Sequence, residues 1–151
     1  IEETIKGDLV TAMKAKDSVR LQVLRSLKAK LLEKQISVRE GGNRELTEQE
    51  QVEVLMKAAK QRKDSAAQYR EGGRTDLAEV EEAELKIIEA YLPRMMDAGE
   101  IRLAVADILS ETGATGLGDM GRLMGAVMGR YKGKADPSAL SAAVKKALSD
   151  L

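Results

Sequence analysis

No stretch of this sequence alternates apolar and polar residues long enough to make a half-buried strand, while Ala, Leu, Glu, Lys, Arg, Gln and Met dominate from end to end. That pattern leaves helix as the only regular element, and the chain is expected to be all-α. The punctuation between helices is legible as well. A first helix is expected from Ile1 to Ala15. Asp17 or Ser18 caps a long second one, which turns Val23, Leu24, Leu27, Leu31 and Val38 toward a core until Gly41-Gly42-Asn43 breaks it. Thr47-Glu48-Gln49-Glu50 reads as a capping box. The third helix that it opens ends at Gly72-Gly73 and is expected to bury Val52, Leu55, Met56, Ala59, Ala66 and Tyr69. A fourth runs from about Asp76 to Leu92.

Pro93 then stops the helical pattern, and charge density falls sharply after it. Two domains are expected on either side of that point: residues 1–93, about four helices built as a long antiparallel hairpin, and residues 94–151, a compact set of three. Asp97-Ala98-Gly99-Glu100 opens the fifth helix, which ends at Thr112-Gly113. Asp136-Pro137, an N-cap followed by proline at the first helical position, opens the last.

Charge excludes some partners. The 25 Lys and Arg balance the 25 Asp and Glu, so no net field draws the chain to DNA or to a membrane surface. The distribution is uneven, however. Met13 to Lys34 is a basic block (Lys14, Lys16, Arg20, Arg25, Lys28, Lys30, Lys34), and Asp76 to Glu89 is an acidic one (Asp76, Glu79, Glu81, Glu82, Glu84, Glu89). Blocks of opposite sign are expected to pair with each other within one fold. Cys and His are both absent, which removes disulfides, thiolate chemistry, the commonest general base and the commonest transition-metal ligands. Neither Phe nor Trp occurs, so no base-stacking platform is expected. No apolar run approaches the ~20 residues that span a bilayer, and no signal-peptide pattern opens the sequence, so the cytoplasm is the expected compartment.

Gly116-Leu117-Gly118-Asp119-Met120-Gly121 matches the G-x-G-x-x-G pattern, but that fingerprint works only between a strand and a helix. Leu103 to Leu109 before it is helical in character, so the segment reads as a loop entering a helix rather than a nucleotide site. No P-loop, G-x-S-x-G or Ser-x-x-Lys is present. No catalytic, cofactor-binding or metal-binding set is expected, and catalysis by this chain alone is not.

The helix that follows repeats one phrase three times: Met-Gly-Arg-Leu, Met-Gly-Ala-Val, Met-Gly-Arg-Tyr, from Met120 to Tyr131. A four-residue period on a helix makes slanted rows. Met120, Met124 and Met128 form one row, and Leu123, Val127 and Tyr131 its neighbour; together they make an apolar face. The other side carries Gly121, Gly125 and Gly129 beside Arg122, Ala126 and Arg130. Three interior glycines cost a helix roughly 3 kcal/mol relative to alanine, and a close approach by another backbone would offset that. Two readings stand. The glycine row packs against another helix, within the chain or in a protein partner. Alternatively, Arg122, Gly125, Gly129, Arg130 and the basic turn with Lys132 and Lys134 meet the sugar-phosphate backbone of a nucleic acid. The Met row reads as core, with adaptable Met-rich binding as its alternative.

The fourth helix places Glu81 and Glu84 within its apolar arc of Leu77, Val80, Leu85, Ile87, Ile88, Tyr91 and Leu92. A carboxylate held in an apolar interface needs a cation. Arg20, Arg62 and Lys63 are the candidates for a structural ion pair; the alternative is that a helix end leaves the glutamates in water.

Several stretches, in order along nearly the whole length, resemble one family. They are Met13-Lys14-Ala15-Lys16-Asp17 with Arg20-Leu21 and Leu24-Arg25; Lys60-Gln61-Arg62-Lys63-Asp64-Ser65; and Tyr69 with Gly73-Arg74-Thr75-Asp76-Leu77. Glu81, Glu84 and Tyr91-Leu92-Pro93 follow, then Gly121, Met124-Gly125, Met128 and Gly133-Lys134-Ala135-Asp136. On these the chain resembles the free-standing members of the GatB/YqeY family. The resemblance implies an all-helical protein whose second section is similar to the tail domain of the B subunit of tRNA-dependent amidotransferase, which contacts tRNA. It implies tRNA as partner, with an amidotransferase or an aminoacyl-tRNA synthetase as an associated enzyme. It also implies the family label of a carbon–nitrogen ligase using glutamine as amide donor. The chain departs from the complete enzyme in having neither an amidase domain nor an ATP-using domain.

Overall fold

The computed structural model describes residues 1–39 and 44–151. Among them are seven α-helices and no strand: α1 (Glu2–Ala15), α2 (Ser18–Ser37), α3 (Glu48–Glu71), α4 (Thr75–Glu89), α5 (Ala98–Thr112), α6 (Met120–Tyr131) and α7 (Pro137–Ser149). The Gly41-Gly42-Asn43 break expected after α2 lies outside the described residues. Contacts divide the chain into two compact units, Ile1–Pro93 and Arg94–Leu151, and each holds its own core.

The first unit starts from well-signalled helix ends. The Asp17 carboxylate accepts from the Arg20 amide at 3.1 Å and begins α2. Thr47 and Glu50 form the reciprocal capping box at the start of α3. The box gains a third member, because Arg44 forks onto the Glu50 carboxylate at 2.8 and 3.0 Å. Its guanidinium, followed by the Thr47 amide, pulls the Glu50 pKa down from 4.5 to about 2. Only Gly72, Gly73 and Arg74 separate α3 from α4, and Gly73 takes φ +75°, so the two helices fold back on each other as a hairpin. α4 stops at Glu89, a turn before the expected Leu92, because proline at 93 disfavours helical backbone in the residue before it.

Val23, Leu24, Leu27 and Leu31 of α2 form one fully buried stripe, meeting Ile5 of α1, Leu55 of α3 and Ile88 of α4. Val38, Met56 and Tyr69, expected in the core, are only half-buried. Of the apolar arc of α4, Val80 stands 53% exposed, while Ala78, not counted in that arc, is fully buried. At the far end of the unit the Tyr91 hydroxyl donates to Asp8 of α1. Burial and this hydrogen bond push the Tyr91 pKa up to about 12.

The charge blocks do not pair as expected. Four acidic residues of α4 are matched by α3 and the turn after it: Arg62 to Glu81 and Glu84, Arg70 to Glu82, and Arg74 to Asp76. Within the basic block the ion pairs are local, Arg20 with Asp17 and Lys30 with Glu33. The physical reason is topology: the hairpin brings α3, not α2, along the charged flank of α4.

The second unit is three helices packed pairwise. Ile101, Val105 and Ile108 of α5, Leu123 and Val127 of α6, and Leu140, Val144 and Leu148 of α7 fill its core. Each set recurs at three- and four-residue spacing, as one face of a helix must. Asp97 and Asp136 cap α5 and α7 through their carboxylates. Gly113 closes α5 in the left-handed region, with φ +67°.

Candidate functional site

A short 3-10 turn, Leu117–Asp119, leads into α6 in place of any strand, so the glycine-rich segment here is a helix entry. Asp119 organises it. Its carboxylate accepts the Thr115 amide at 2.9 Å and also lies 3.4 Å from the Arg122 guanidinium. The amide bond first, and Arg122 after it, hold the Asp119 carboxyl below the usual range.

Leu123 and Val127 are completely buried, while Tyr131 and the three methionines lie half-buried against the core of the unit. Gly121, Arg122, Gly125, Ala126, Gly129 and Arg130 are all exposed. A Cβ built on any of Gly121, Gly125 and Gly129 would meet nothing within 4 Å. The row therefore packs against no other helix of its own unit, which leaves a partner's helix or a nucleic acid as the two readings of the sequence. The buried arc already accounts for the helix's contacts with α5 and α7, and the glycines face away from it.

Arg130 reaches across to α5 and forks onto Glu111, at 3.0 and 3.4 Å. Both side chains are about half exposed, at 51% and 56%, so the pair is a solvent-screened surface contact that adds little to stability. Lys132 and Lys134 follow in a tight turn, where Gly133 has φ +80° and the Lys134 amide donates to the Tyr131 carbonyl at 2.9 Å. The Lys134 carbonyl accepts the Met96 amide, and the buried Ala135 fixes the next position. Both lysine residues are exposed. Arg122, Gly125, Gly129 and Arg130 therefore share one exposed face, with Lys132 and Lys134 just beyond its C-terminal end. By the rise of a helix, Arg122 and Arg130 stand about 12 Å apart along it.

Of the candidate ion-pair residues, three come together in the first unit. Arg62 Nε donates to Glu84 Oε2 at 3.0 Å and lies 3.8 Å from Glu81 Oε2. The three side chains are only 14–22% exposed. Arg20 instead pairs with Asp17, and Lys63 is exposed and makes no ion pair with either glutamate. Sequence reasoning missed the two carboxylates that hold the α6 arginines. Asp119 was legible, three residues before Arg122 on a helical path. Glu111 was not, since it comes from another helix 19 residues away.

Among the described residues, no group of three or more Asp and Glu is placed to hold a metal ion, and no helix is long and apolar enough to cross a membrane. The family model described as Yqey-like protein matches residues 2–148. No curated protein matches the chain.

Proposed function

The chain belongs to the YqeY-like family, and from that premise we propose that it is a tRNA-binding protein whose contact surface is the exposed face of α6 with the basic turn after it. The observation that carries this reading is the open glycine row. Three glycines weaken the helix by roughly 3 kcal/mol, and nothing inside the unit touches them, so the offsetting contact is one made with another molecule. Bare backbone beside Arg122 and Arg130, with Lys132 and Lys134 at the end, suits the close approach of a sugar-phosphate chain. The role is binding rather than catalysis. The family's association with glutamine-dependent amide transfer then describes a reaction of a partner enzyme, an amidotransferase or an aminoacyl-tRNA synthetase. The cytoplasm is the compartment we propose with this reading.

The test is equilibrium binding of the purified protein to bulk tRNA across a salt series, with duplex DNA as control. Affinity for tRNA should fall steeply with salt as counterions are released. Arg122→Glu combined with Arg130→Glu should lower affinity and flatten the salt slope by about two, one for each lost phosphate contact. Equal binding by wild type and double variant would remove α6 from the interface.

A second reading is favoured by the carboxylate partners of both arginines, which leave the face less cationic than its sequence implies. In it the glycine row receives a helix from another protein or a second copy of this chain. Gly125→Leu then blocks assembly without disturbing the fold, since the site is open, and leaves any tRNA binding through the cations intact.

A further inference from the structure

The groove between α1 and α2, in the first unit, belongs to no site described above. It encloses about 540 Å³. Val10 and Met13 of α1 and Leu32 of α2 line it while remaining 50–54% exposed. Lys6, Arg25 and Lys28 rim it, and no carboxylate lines it.

These cations are available because of how the hairpin uses its charges. Asp76, Glu81, Glu82 and Glu84 of α4 are taken up by Arg62, Arg70 and Arg74, and none of the four pairs with the basic block of α2. Lys6 pairs with the 91%-exposed Glu3, at 3.6 Å, and among the described residues Arg25 and Lys28 make no ion pair. The result is an apolar trough with a rim of one sign. On α2 the positions Arg25, Lys28 and Leu32 follow the three- and four-residue spacing of a single helix face, and Ile36, 56% exposed, extends it.

We propose that this groove docks an acidic amphipathic helix of a partner protein. The charge on the rim calls for a partner of opposite sign, and the apolar floor calls for aliphatic anchors spaced at i, i+3, i+4 and i+7. A concave trough between two helices accepts a helix ridge, whereas a bilayer is flat. Nucleic acid fits poorly, since the floor offers aliphatic groups and no aromatic ring for a base to stack on.

The experiment uses the full chain and a fluorescent synthetic peptide with leucines at i, i+3, i+4 and i+7 and glutamates on the remaining face. The control is a peptide of the same composition with the leucines scrambled. Anisotropy should show binding of the patterned peptide only. Arg25→Glu combined with Lys28→Glu, and separately Leu32→Asp, should each weaken it by about tenfold or more. All three positions are exposed, and circular dichroism of each variant confirms an unchanged helix content and melting curve. Four outcomes overturn the proposal: no binding of the patterned peptide; equal binding of the scrambled one; binding that survives both variants; or a groove occupied instead by vesicles containing phosphatidylserine or, in sedimentation equilibrium, by a second copy of the chain. The α6 variants leave this peptide binding unchanged, so its failure and that of the tRNA reading are separable.

Discussion

Arg62 is the residue on which the first unit's polar packing turns. Its guanidinium serves two carboxylates on α4, all three side chains being mostly removed from water. Removing one partner of such a set costs far more than removing the set, because the remaining charges lose their compensation. Arg62→Met should therefore destabilise the protein by about 2–3 kcal/mol, read as a lower urea midpoint, while Arg62→Met with Glu81→Gln and Glu84→Leu should recover most of that loss. A single variant no worse than the triple one contradicts the pairing. Glu50 adds a pH dependence. Its folded pKa, drawn to about 2 by Arg44 and the Thr47 amide, lies below the 4.5 of a free glutamate, so its contribution is complete above about 4.5 and fades as pH falls toward 2. Amide exchange at the first turn of α3 should accelerate over that window, and Glu50→Gln should flatten the response. Glu111 bears on function. If α6 meets phosphates, Glu111→Gln frees Arg130 from its fork and should raise tRNA affinity by up to about fivefold, the worth of a screened surface pair. An unchanged or weaker affinity would take Arg130 out of the interface.

At the scale of the element, α6 is a helix in conflict with itself. Its buried arc is ordinary, and its exposed arc carries three residues that disfavour helix. None of the three has a positive φ, and none has a neighbour that a methyl group would meet. Gly121→Ala, Gly125→Ala and Gly129→Ala should therefore each stabilise the unit, by about 0.5–1 kcal/mol, and together raise the melting temperature. If the bare backbone is there for a close approach, the same triple variant should bind tRNA less well. Stability and binding then move in opposite directions. A triple variant that is both more stable and an undiminished binder removes the glycines from the interface. Much of this was legible in the sequence, because caps, breaks and four-residue rows are local properties: Asp17, Thr47, Asp97 and Asp136 all cap the helices they were expected to start. Which face of α6 packs was legible too, from Leu123 and Val127. What the sequence could not settle was whether the glycine row met a neighbour, and which carboxylates α3 and α6 would find. Those answers depend on which helices lie side by side, and Glu111 and Arg130, or Arg62 and Glu84, share no local pattern.

At the scale of the whole molecule, an exact balance of charge conceals a division of labour that only topology creates. Three carboxylates of the acidic helix are matched by its hairpin partner, and the basic helix, whose ion pairs are local, keeps Arg25 and Lys28 facing the solvent or a guest. The two compact units hold separate cores, and the proposed tRNA surface lies wholly in one and the proposed helix-docking groove wholly in the other. Separate cores imply separable functions. Residues 94–151 alone should fold cooperatively, though with little margin, since domains of about 60 residues bury only ~60% of their unfolded surface. A stability of a few kcal/mol is expected, seen as a single reversible thermal transition by circular dichroism. That fragment should retain the salt-dependent tRNA binding of the full chain and show no affinity for the acidic amphipathic peptide. Residues 1–93 should behave in the opposite way. A 94–151 fragment that folds but no longer binds tRNA would mean that α6 and its basic turn do not suffice as the RNA surface.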